Sequence, residues 1–229
     1  MYKVKFYKGD YVTRQQKANK DKAVAYVEHH FNSSSSDTAS YAVVVTGSNA
    51  SRTSKNWGRW YANAVATFVG TRVAGDNGIL VGGWNGRGDG NLKHTVMPAI
   101  LLEPLFASNP QHADIIRSES GQTDLARILV ESIQRFFPAG GLIGFSVGHK
   151  YKKRNPDDRG AVLAGGGNEA DYAEKVLKKA ALMLEAVDQI DAARTVRVMQ
   201  GEKLLLETKV DEDAQIVWDA ERGLLHIPE

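Results

Sequence analysis

Short runs of apolar residues alternate along the chain with longer segments whose apolar residues recur at helical spacing. The short runs predict buried strands, because a strand that is covered on both faces has few polar positions. At the N-terminus, Tyr2, Val4 and Phe6 alternate with lysines, which predicts a further strand that ends at Gly9. The apolar runs that predict the other strands lie at residues 24–27, 41–45, 99–102 and 142–147.

The longer segments predict helices at residues 13–22, 57–69, 123–137 and 169–186. The first of these segments is mainly polar, and the others carry apolar residues on one face. For the third helix, Thr123 is the expected N-cap, and Pro138 marks the end.

Strands that alternate with amphipathic helices predict an α/β fold, in which a single twisted, largely parallel sheet is flanked by helices. Residues 195–227 differ, since they contain short strand-like runs without intervening helices. We therefore expect a main domain at residues 1–187 and a small β-rich C-terminal appendage at residues 188–229. In an α/β fold, ligands bind beyond the carboxyl ends of the strands.

Composition limits the functions that the chain can serve. Its 229 residues, 42% hydrophobic and 24% charged, are typical of a globular protein. The formal net charge of +2 is small and scattered, so we expect no nucleic-acid partner. No apolar run reaches the roughly 20 residues that cross a membrane, and residues 1–8 lack the apolar core of a signal peptide. We expect synthesis in the cytoplasm and no stable membrane insertion.

Residues that bind metals or move protons follow the predicted strands. His30, Glu103 and His149 each stand just past a strand, and Glu169 follows the loop after His149. The chain has no cysteine, so His and carboxylate side chains must supply the ligands of any metal. Two His and one Glu suffice for a hydrolytic zinc site, and the other Glu can move protons. His29 is the alternative to His30, but its side chain should point to the opposite face of the strand.

Short motifs surround these residues. In the second half of the chain they are Gly148-His149 at the end of a strand, Asp-Arg-Gly-Ala at residues 158–161 and Asn-Glu-Ala-Asp at residues 168–171. In the first half they are Arg14 with Ala18-Asn19, His-Phe-Asn at residues 30–32, and an apolar run that leads from Pro98 to Glu103 and on to Phe106 and Asn109. In these motifs, residues 1–187 resemble the zinc-dependent N-acetylmuramoyl-L-alanine amidases of the Amidase_3 group.

This resemblance implies a hydrolase that cleaves the amide bond between N-acetylmuramic acid and L-alanine, with peptidoglycan as its partner. It assigns His30, His149 and Glu169 as ligands of Zn²⁺. It assigns Glu103 as the catalytic residue that takes a proton from water and passes it to the leaving amine. Glu28 is the second candidate for this base. Since no export signal is seen, we expect a phage-type endolysin that another factor releases onto the cell wall.

The order of the motifs departs from that of the family. In the family the Gly-His strand and the zinc-binding Glu come first, whereas here they come last, at His149 and Glu169. Moving residues 142–187 to the front restores the family order, so we expect a circular permutation in which residues 138–141 join the original ends. Ser146-Val147 also stands where the family usually has Asp-Pro or Asp-Ala, so we expect His149 to have different neighbours.

Two other functions stay open at this point. One is a zinc peptidase or amidohydrolase with another substrate, and the other is a non-catalytic wall-binding protein. A complete set of ligands together with Glu103 argues against the second. Residues 150–154 are basic and either form a solvated loop or contact carboxylates of the substrate. The appendage at residues 188–229 is a candidate for wall binding or self-association.

Overall fold

The computed structural model describes residues 1–192, 195–200, 203–209, 217–219 and 224–226, with side chains described as far as Glu185. It divides into two compact units, Met1–Glu185 and Ala186–Glu229. The strands of the first unit are β1 (Tyr2–Phe6), β2 (Ala25–His29), β3 (Val43–Thr46), β4 (Ile79–Val81), β5 (Gly83–Trp84), β6 (Arg87–Gly88), β7 (Ala99–Glu103) and β8 (Gly141–Val147). The helices are α1 (Tyr11–Lys20), α2 (Arg52–Val69), α3 (Pro110–Arg117), α4 (Glu119–Phe136) and α5 (Glu169–Ala192).

Six strands form one sheet in the order β1-β8-β2-β7-β3-β4. Neighbouring strands are parallel except for β3 and β7, which are antiparallel. The predicted α/β fold with a largely parallel sheet is therefore confirmed. β8 lies between β1 and β2, although it comes last of the six in the chain. In this arrangement Ser146 and Val147 of β8 pair with Glu28 and His29 of β2.

Alternate residues of the central strands belong to separate hydrophobic clusters on the two faces of the sheet. Val27 of β2 packs in the larger cluster, with Trp57 of α2 and Leu129 of α4. Tyr26 packs in the smaller cluster, with Ala18 of α1. Helices α3 and α5 also contribute to the larger cluster, so α2 to α5 cover one face and α1 covers the other.

The predicted start of the helix at residue 123 is wrong. Ser118 is the N-cap of α4, since its Oγ accepts a hydrogen bond from Gly121 N–H at 3.0 Å, and the helix begins at Glu119. The apolar pattern also fails to indicate α3, which precedes α4. Asn109 caps α3 by accepting hydrogen bonds from the N–H groups of residues 111 and 112. Two capping side chains thus divide this segment into two helices.

The second unit contains two antiparallel strand pairs, β9 (Thr195–Gln200) with β10 (Lys203–Lys209) and β11 (Val217–Asp219) with β12 (Leu224–His226). The predicted β-rich character of the C-terminal appendage is therefore confirmed. Its role in wall binding or self-association stays a prediction. Among the helices in the described part of the chain, none combines the length and the apolar character that a membrane crossing requires.

Candidate metal centre and active site

Four side chains with metal-binding or acid–base chemistry meet at the carboxyl-end edge of the sheet. His30 directly follows β2, Glu103 is the last residue of β7, and His149 lies two residues beyond β8. Glu169 is the first residue of α5, and the loop between β8 and α5 brings it back to His149. Parallel strands thus carry His30, Glu103 and His149 to one edge, as expected for a ligand site in an α/β fold.

His30, His149 and Glu169 each offer one donor atom, and these atoms lie within 4.8 Å of one another. Glu169 Oε1 lies 3.3 Å from His30 Nδ1 and 3.1 Å from His149 Nε2. A tetrahedral zinc ion with donors at about 2.0–2.1 Å holds neighbouring donors about 3.4 Å apart. The two separations from Glu169 Oε1 and the chemistry of the three donors therefore fit a zinc ion.

Two glycines leave room for these side chains. A Cβ atom at Gly148 would lie 2.3–2.4 Å from ring atoms of His30. A Cβ atom at Gly160, where φ is +71°, would lie 2.5 Å from Glu169 Cδ and 2.7 Å from His149 Cδ2. A side chain at either position would displace a candidate ligand. This close approach gives a physical reason for glycine in Gly148-His149 and in the Asp-Arg-Gly-Ala motif.

His149 turns back toward His30 through a left-handed backbone conformation, with φ of 61°. The centroids of the two rings lie 4.9 Å apart. His149 Nδ1 lies 3.0 Å from both carboxylate oxygens of Asp158, which leaves Nε2 to face Glu169. Lys152 binds Asp158 in turn. Asp158 therefore fixes the orientation of the His149 ring, as a carboxylate commonly does for a metal-binding histidine.

His30 is oriented by Glu28, a carboxylate of the strand that His30 follows. Its Nε2 lies 2.9 Å from Glu28 Oε1, so that Nδ1 faces Glu169. Burial alone would lower the pKa of His30, but hydrogen bonds with Glu169 and Glu28 outweigh burial and raise the pKa well above its usual value. These hydrogen bonds favour the protonated form of His30, and a metal ion that binds at Nδ1 would compete with that proton.

Glu28 is completely buried, and polar groups surround its carboxylate. Ser146 Oγ donates to Oε2 at 3.1 Å, Asn91 donates to Oε1, and Arg14 lies 3.8 Å from Oε2. Burial would raise the pKa of Glu28, but the hydrogen bond with His30 and the charges of His30 and Arg14 lower it. Both oxygens are thus engaged, which argues against Glu28 as the catalytic base.

Arg14 is also completely buried and connects β8 to the turn that carries His149. It donates to Ser146 Oγ and to Val147 O, at 2.7 Å each, and to the carbonyl oxygen of Lys150. These bonds hold the backbone on both sides of His149. Arg14, which forms a motif with Ala18-Asn19, therefore helps to place the candidate ligand His149.

Glu169 has the environment of an ionised ligand. It is almost fully buried, and Ala161 N–H donates to its Oε2 at 2.9 Å, which leaves Oε1 for the two histidines. Burial would raise the pKa of Glu169, but hydrogen bonds with His149 and His30 outweigh burial and lower the pKa to about 2. Its position in the first turn of α5 also favours the negative charge.

Glu103 differs from the other carboxylates of the site. The residue is half-buried, and its Oε2 is buried without a hydrogen-bond partner in the described part of the chain. Burial raises the pKa of Glu103 to about 7, while the nearby charge of His30 opposes the rise and that of Glu169 adds to it. A carboxyl group with a pKa near neutrality and an unengaged oxygen suits general acid–base chemistry.

Other polar residues near the motifs have structural surroundings. His29 is buried on the opposite face of β2 against Phe31, and burial lowers its pKa to about 3. His112 accepts a hydrogen bond from Phe106 N–H through Nδ1 and lies 3.1 Å from Ser40 Oγ through Nε2. The described structure thus places both outside the ligand cluster.

The supporting roles of Glu28 and Asp158 were not recognised from the sequence. The signal for Glu28 was its position two residues before His30, which puts both side chains on one face of the extended chain. The signal for Asp158 was its place in the Asp-Arg-Gly-Ala motif. Asn32, in the His-Phe-Asn motif, accepts a hydrogen bond from Ser33 N–H at 2.8 Å.

Two histidines and a carboxylate around one point, with a separate carboxyl group beside them on an α/β fold, are typical of metal-dependent hydrolases. A family comparison makes the assignment more particular. The model of the N-acetylmuramoyl-L-alanine amidase family, Amidase_3, matches residues 3–135. The chain belongs to this family. The matched segment contains His30 and Glu103, whereas His149 and Glu169 follow it.

Solved amidase structures are also similar to this chain. The catalytic domain of CwlV from Bacillus (Paenibacillus) polymyxa var. colistinus is 25% identical, with 56% of this chain and 66% of that chain covered and a TM-score of 0.46. The N-acetylmuramoyl-L-alanine amidase from Clostridium difficile 630 is 25% identical, with 58% and 67% covered and a TM-score of 0.48. The chain thus spans about two thirds of the length of each. Curated protein sequences give no significant match.

Proposed function

We propose that this chain is a zinc-dependent hydrolase that cleaves the amide bond between N-acetylmuramic acid and L-alanine in peptidoglycan. The observation that carries the proposal is the position of Glu169 Oε1, 3.1 Å from His149 Nε2 and 3.3 Å from His30 Nδ1, beside an unengaged Glu103 oxygen. Membership of the amidase family supports the choice of substrate.

His30, His149 and Glu169 are the proposed zinc ligands. When bound, the ion supplies a Lewis acid that polarises the scissile carbonyl and makes the attacking water more acidic. Glu28 and Asp158 keep the two imidazole rings oriented, so that Nδ1 of His30 and Nε2 of His149 face the same point. Catalytic zinc sites typically have three nitrogen or oxygen ligands from the protein, which leaves a fourth position open for water or substrate.

Glu103 is the proposed proton carrier. With a pKa of about 7, its carboxylate can accept a proton from water near neutral pH and return it to the leaving amine of L-alanine. A divalent cation at the three ligands would lower this pKa, because a nearby positive charge favours the ionised form. The ionised base is therefore the form expected in the metal-loaded protein.

We also propose that the chain is a circular permutation of the family's arrangement. Three observations support this proposal. β8 lies between β1 and β2. Gly141 N–H donates to Met1 O at 2.9 Å, so residues 138–141 lie beside the start of β1. Val4 N–H donates to Glu185 Oε1 at 3.1 Å, so α5 reaches β1 as well. A connection from α5 to β1 therefore needs to span little distance.

The deciding experiment measures new L-alanine N-termini after zinc-reconstituted protein is incubated with purified peptidoglycan. We expect these N-termini to appear with time. New N-termini from other stem residues would instead identify a peptidase. Wall binding without any new N-terminus would identify a non-catalytic protein. The endolysin setting is part of the proposal, and it requires that added protein lyse cells whose outer barrier has been removed.

A further inference from the structure

A basic pocket lies next to the candidate metal centre. It is an open cavity of about 430 Å³ between the loop after β1, helix α1 and the loop after His149. The cations that line it are Lys8, Lys17, Lys150, Lys152, Lys153 and Arg159. Among the residues that the structure describes, no acidic side chain lines this pocket.

Two of the six cations are neutralised by neighbouring carboxylates. Lys150 Nζ lies 2.7 Å from both Asp171 and Glu174, and Lys152 Nζ lies 2.5 Å from Asp158. Lys150 and Lys152 line the pocket, but these ion pairs already compensate their charges. The two lysines therefore contribute little to the attraction of a ligand.

The other four cations, Lys8, Lys17, Lys153 and Arg159, form no ion pair with any side chain in the described structure. Lys8 Nζ lies 4.2 Å from the ring centroid of Tyr151, and Lys17 Nζ lies 3.4 Å from the carbonyl oxygen of Lys8. Like charges around one cavity repel each other and together attract anions. The pocket is therefore suited to a ligand with more than one negative charge.

The pocket adjoins the loop that carries the candidate ligand His149. Lys150 directly follows His149, and Lys152 shares Asp158 with His149. Asp10 Oδ1 accepts a hydrogen bond from Lys153 N–H at 3.0 Å, which fixes the loop at the rim. An anionic group that is attached close to the scissile amide therefore comes within reach of these cations.

We propose that this pocket binds the free carboxylates of the peptide stem beyond L-alanine, and that it selects stems with free carboxylates over amidated stems. The proposal rests on the function proposed above. The stem fits because it is attached to the scissile amide and its γ-linked D-glutamate keeps an α-carboxylate. Ammonium and guanidinium groups both bind carboxylates well. Phosphates of wall polymers share the negative charge, but they are not attached to the scissile bond.

Binding of a product tests the pocket without catalysis. The probe is the tripeptide L-Ala-γ-D-Glu-meso-diaminopimelate, titrated into the full-length Glu103→Gln protein with zinc. Adding Lys8→Gln, Lys17→Gln and Lys153→Gln should weaken binding about tenfold, since each exposed ion pair contributes about a 1.4- to 5-fold effect. The matched control adds Lys3→Gln, Lys20→Gln and Lys55→Gln, which remove the same charge outside the pocket and should leave affinity unchanged. Equal affinities of the two triple variants overturn the proposal.

Kinetics with paired substrates test the selectivity. Soluble muropeptides with a free or an amidated D-glutamate carboxylate should differ in KM for the wild type, and the pocket variants should reduce this difference. The proposal fails if the two substrates have equal KM in the wild type. It also fails if the variants lose rate only on walls that retain phosphate polymers, because the ligand is then a phosphate.

These experiments distinguish a failure of the pocket proposal from a failure of the proposed amidase function. A protein that binds the tripeptide through these lysines but releases no L-alanine N-termini would retain the pocket and refute the amidase. A protein that releases L-alanine N-termini with equal efficiency in wild type and pocket variants would retain the amidase and refute the pocket.

Discussion

Glu28 and Ser146 pair with each other across β2 and β8, and Ser146 Oγ donates a hydrogen bond to Glu28 Oε2 at 3.1 Å. The family usually has an aspartate where Ser146 stands, and the sequence alone suggested changed surroundings for His149. In the structure, Ser146 instead supports Glu28, which orients His30, while Asp158 orients His149. Ser146 therefore affects the orientation of His30 rather than that of His149.

Glu28→Gln should lower zinc affinity by about 10- to 100-fold, because it weakens the bond that orients a ligand while keeping the shape of the side chain. Competition with a chromophoric chelator measures the effect. Glu185→Gln is the control, since it changes a carboxylate that binds the backbone of β1 rather than the site. An unchanged affinity in Glu28→Gln would show that Glu28 does not position His30.

Glu103→Gln should retain zinc and lower the turnover rate by about 10²- to 10⁴-fold, because it removes the proton acceptor and leaves the ligands in place. In the wild type, activity should fall as pH falls through the pKa of Glu103, since only the ionised carboxylate accepts a proton. Zinc content and a pH–rate profile on soluble muropeptides measure both effects. Wild-type turnover by a zinc-loaded Glu103→Gln protein would place the base elsewhere.

Zinc affinity should rise with pH and zinc binding should release protons. The pKa of His30 is raised well above its usual value, so His30 is protonated below that pKa and its Nδ1 becomes available only as pH rises through it. Calorimetric titrations in buffers of different ionisation enthalpy count the released protons. Binding that releases no proton at neutral pH would contradict the protonated state assigned to His30.

Gly160→Ala should abolish stoichiometric zinc binding, because its Cβ would lie 2.5 Å from Glu169 Cδ. Gly70→Ala is the matched control: its φ of 73° imposes similar backbone strain, of about 1–3 kcal/mol, but nothing lies within 4 Å of the added Cβ. Both variants should lower Tm, and Gly160→Ala alone should lose zinc. Equal zinc content in the two variants would mean that the site tolerates a side chain at residue 160.

A re-permuted gene tests the proposed circular permutation. The new chain starts near Leu142, and a short linker joins residue 187 to residue 1. We expect a folded, zinc-binding product, because α5 and β1 are already in contact. Circular dichroism and zinc analysis of the purified protein measure the outcome. As a control, a break within β2 should prevent folding, since this strand is completely buried. Failure of the re-permuted chain alone would contradict the permutation.

The sequence predicted much of the sheet for a physical reason, and it indicated four residues that the fold brings to one edge of that sheet. Completely buried strands leave uninterrupted apolar runs, and side chains just past such runs stand out as polar. β4 is not evident from the sequence, because three residues with a partly exposed pattern leave too weak a signal. The division between α3 and α4 is not evident either, because it depends on the capping side chain of Ser118 rather than on periodicity. The links from Glu28, Ser146 and Arg14 join residues more than one hundred positions apart, so no local pattern reveals them.

Because β8 lies between β1 and β2, the sheet cannot be completed during translation until β8 has been synthesised. Since β1 has no other neighbour in the sheet, it cannot pair until residues 141–147 have been synthesised. Until then β2 presents an unpaired edge to its surroundings, which is the kind of edge that promotes aggregation. Native contacts between the ends of the domain also slow folding, because a long segment must be ordered to bring them together. A nascent chain interrupted before β8 therefore lacks both the completed sheet and His149.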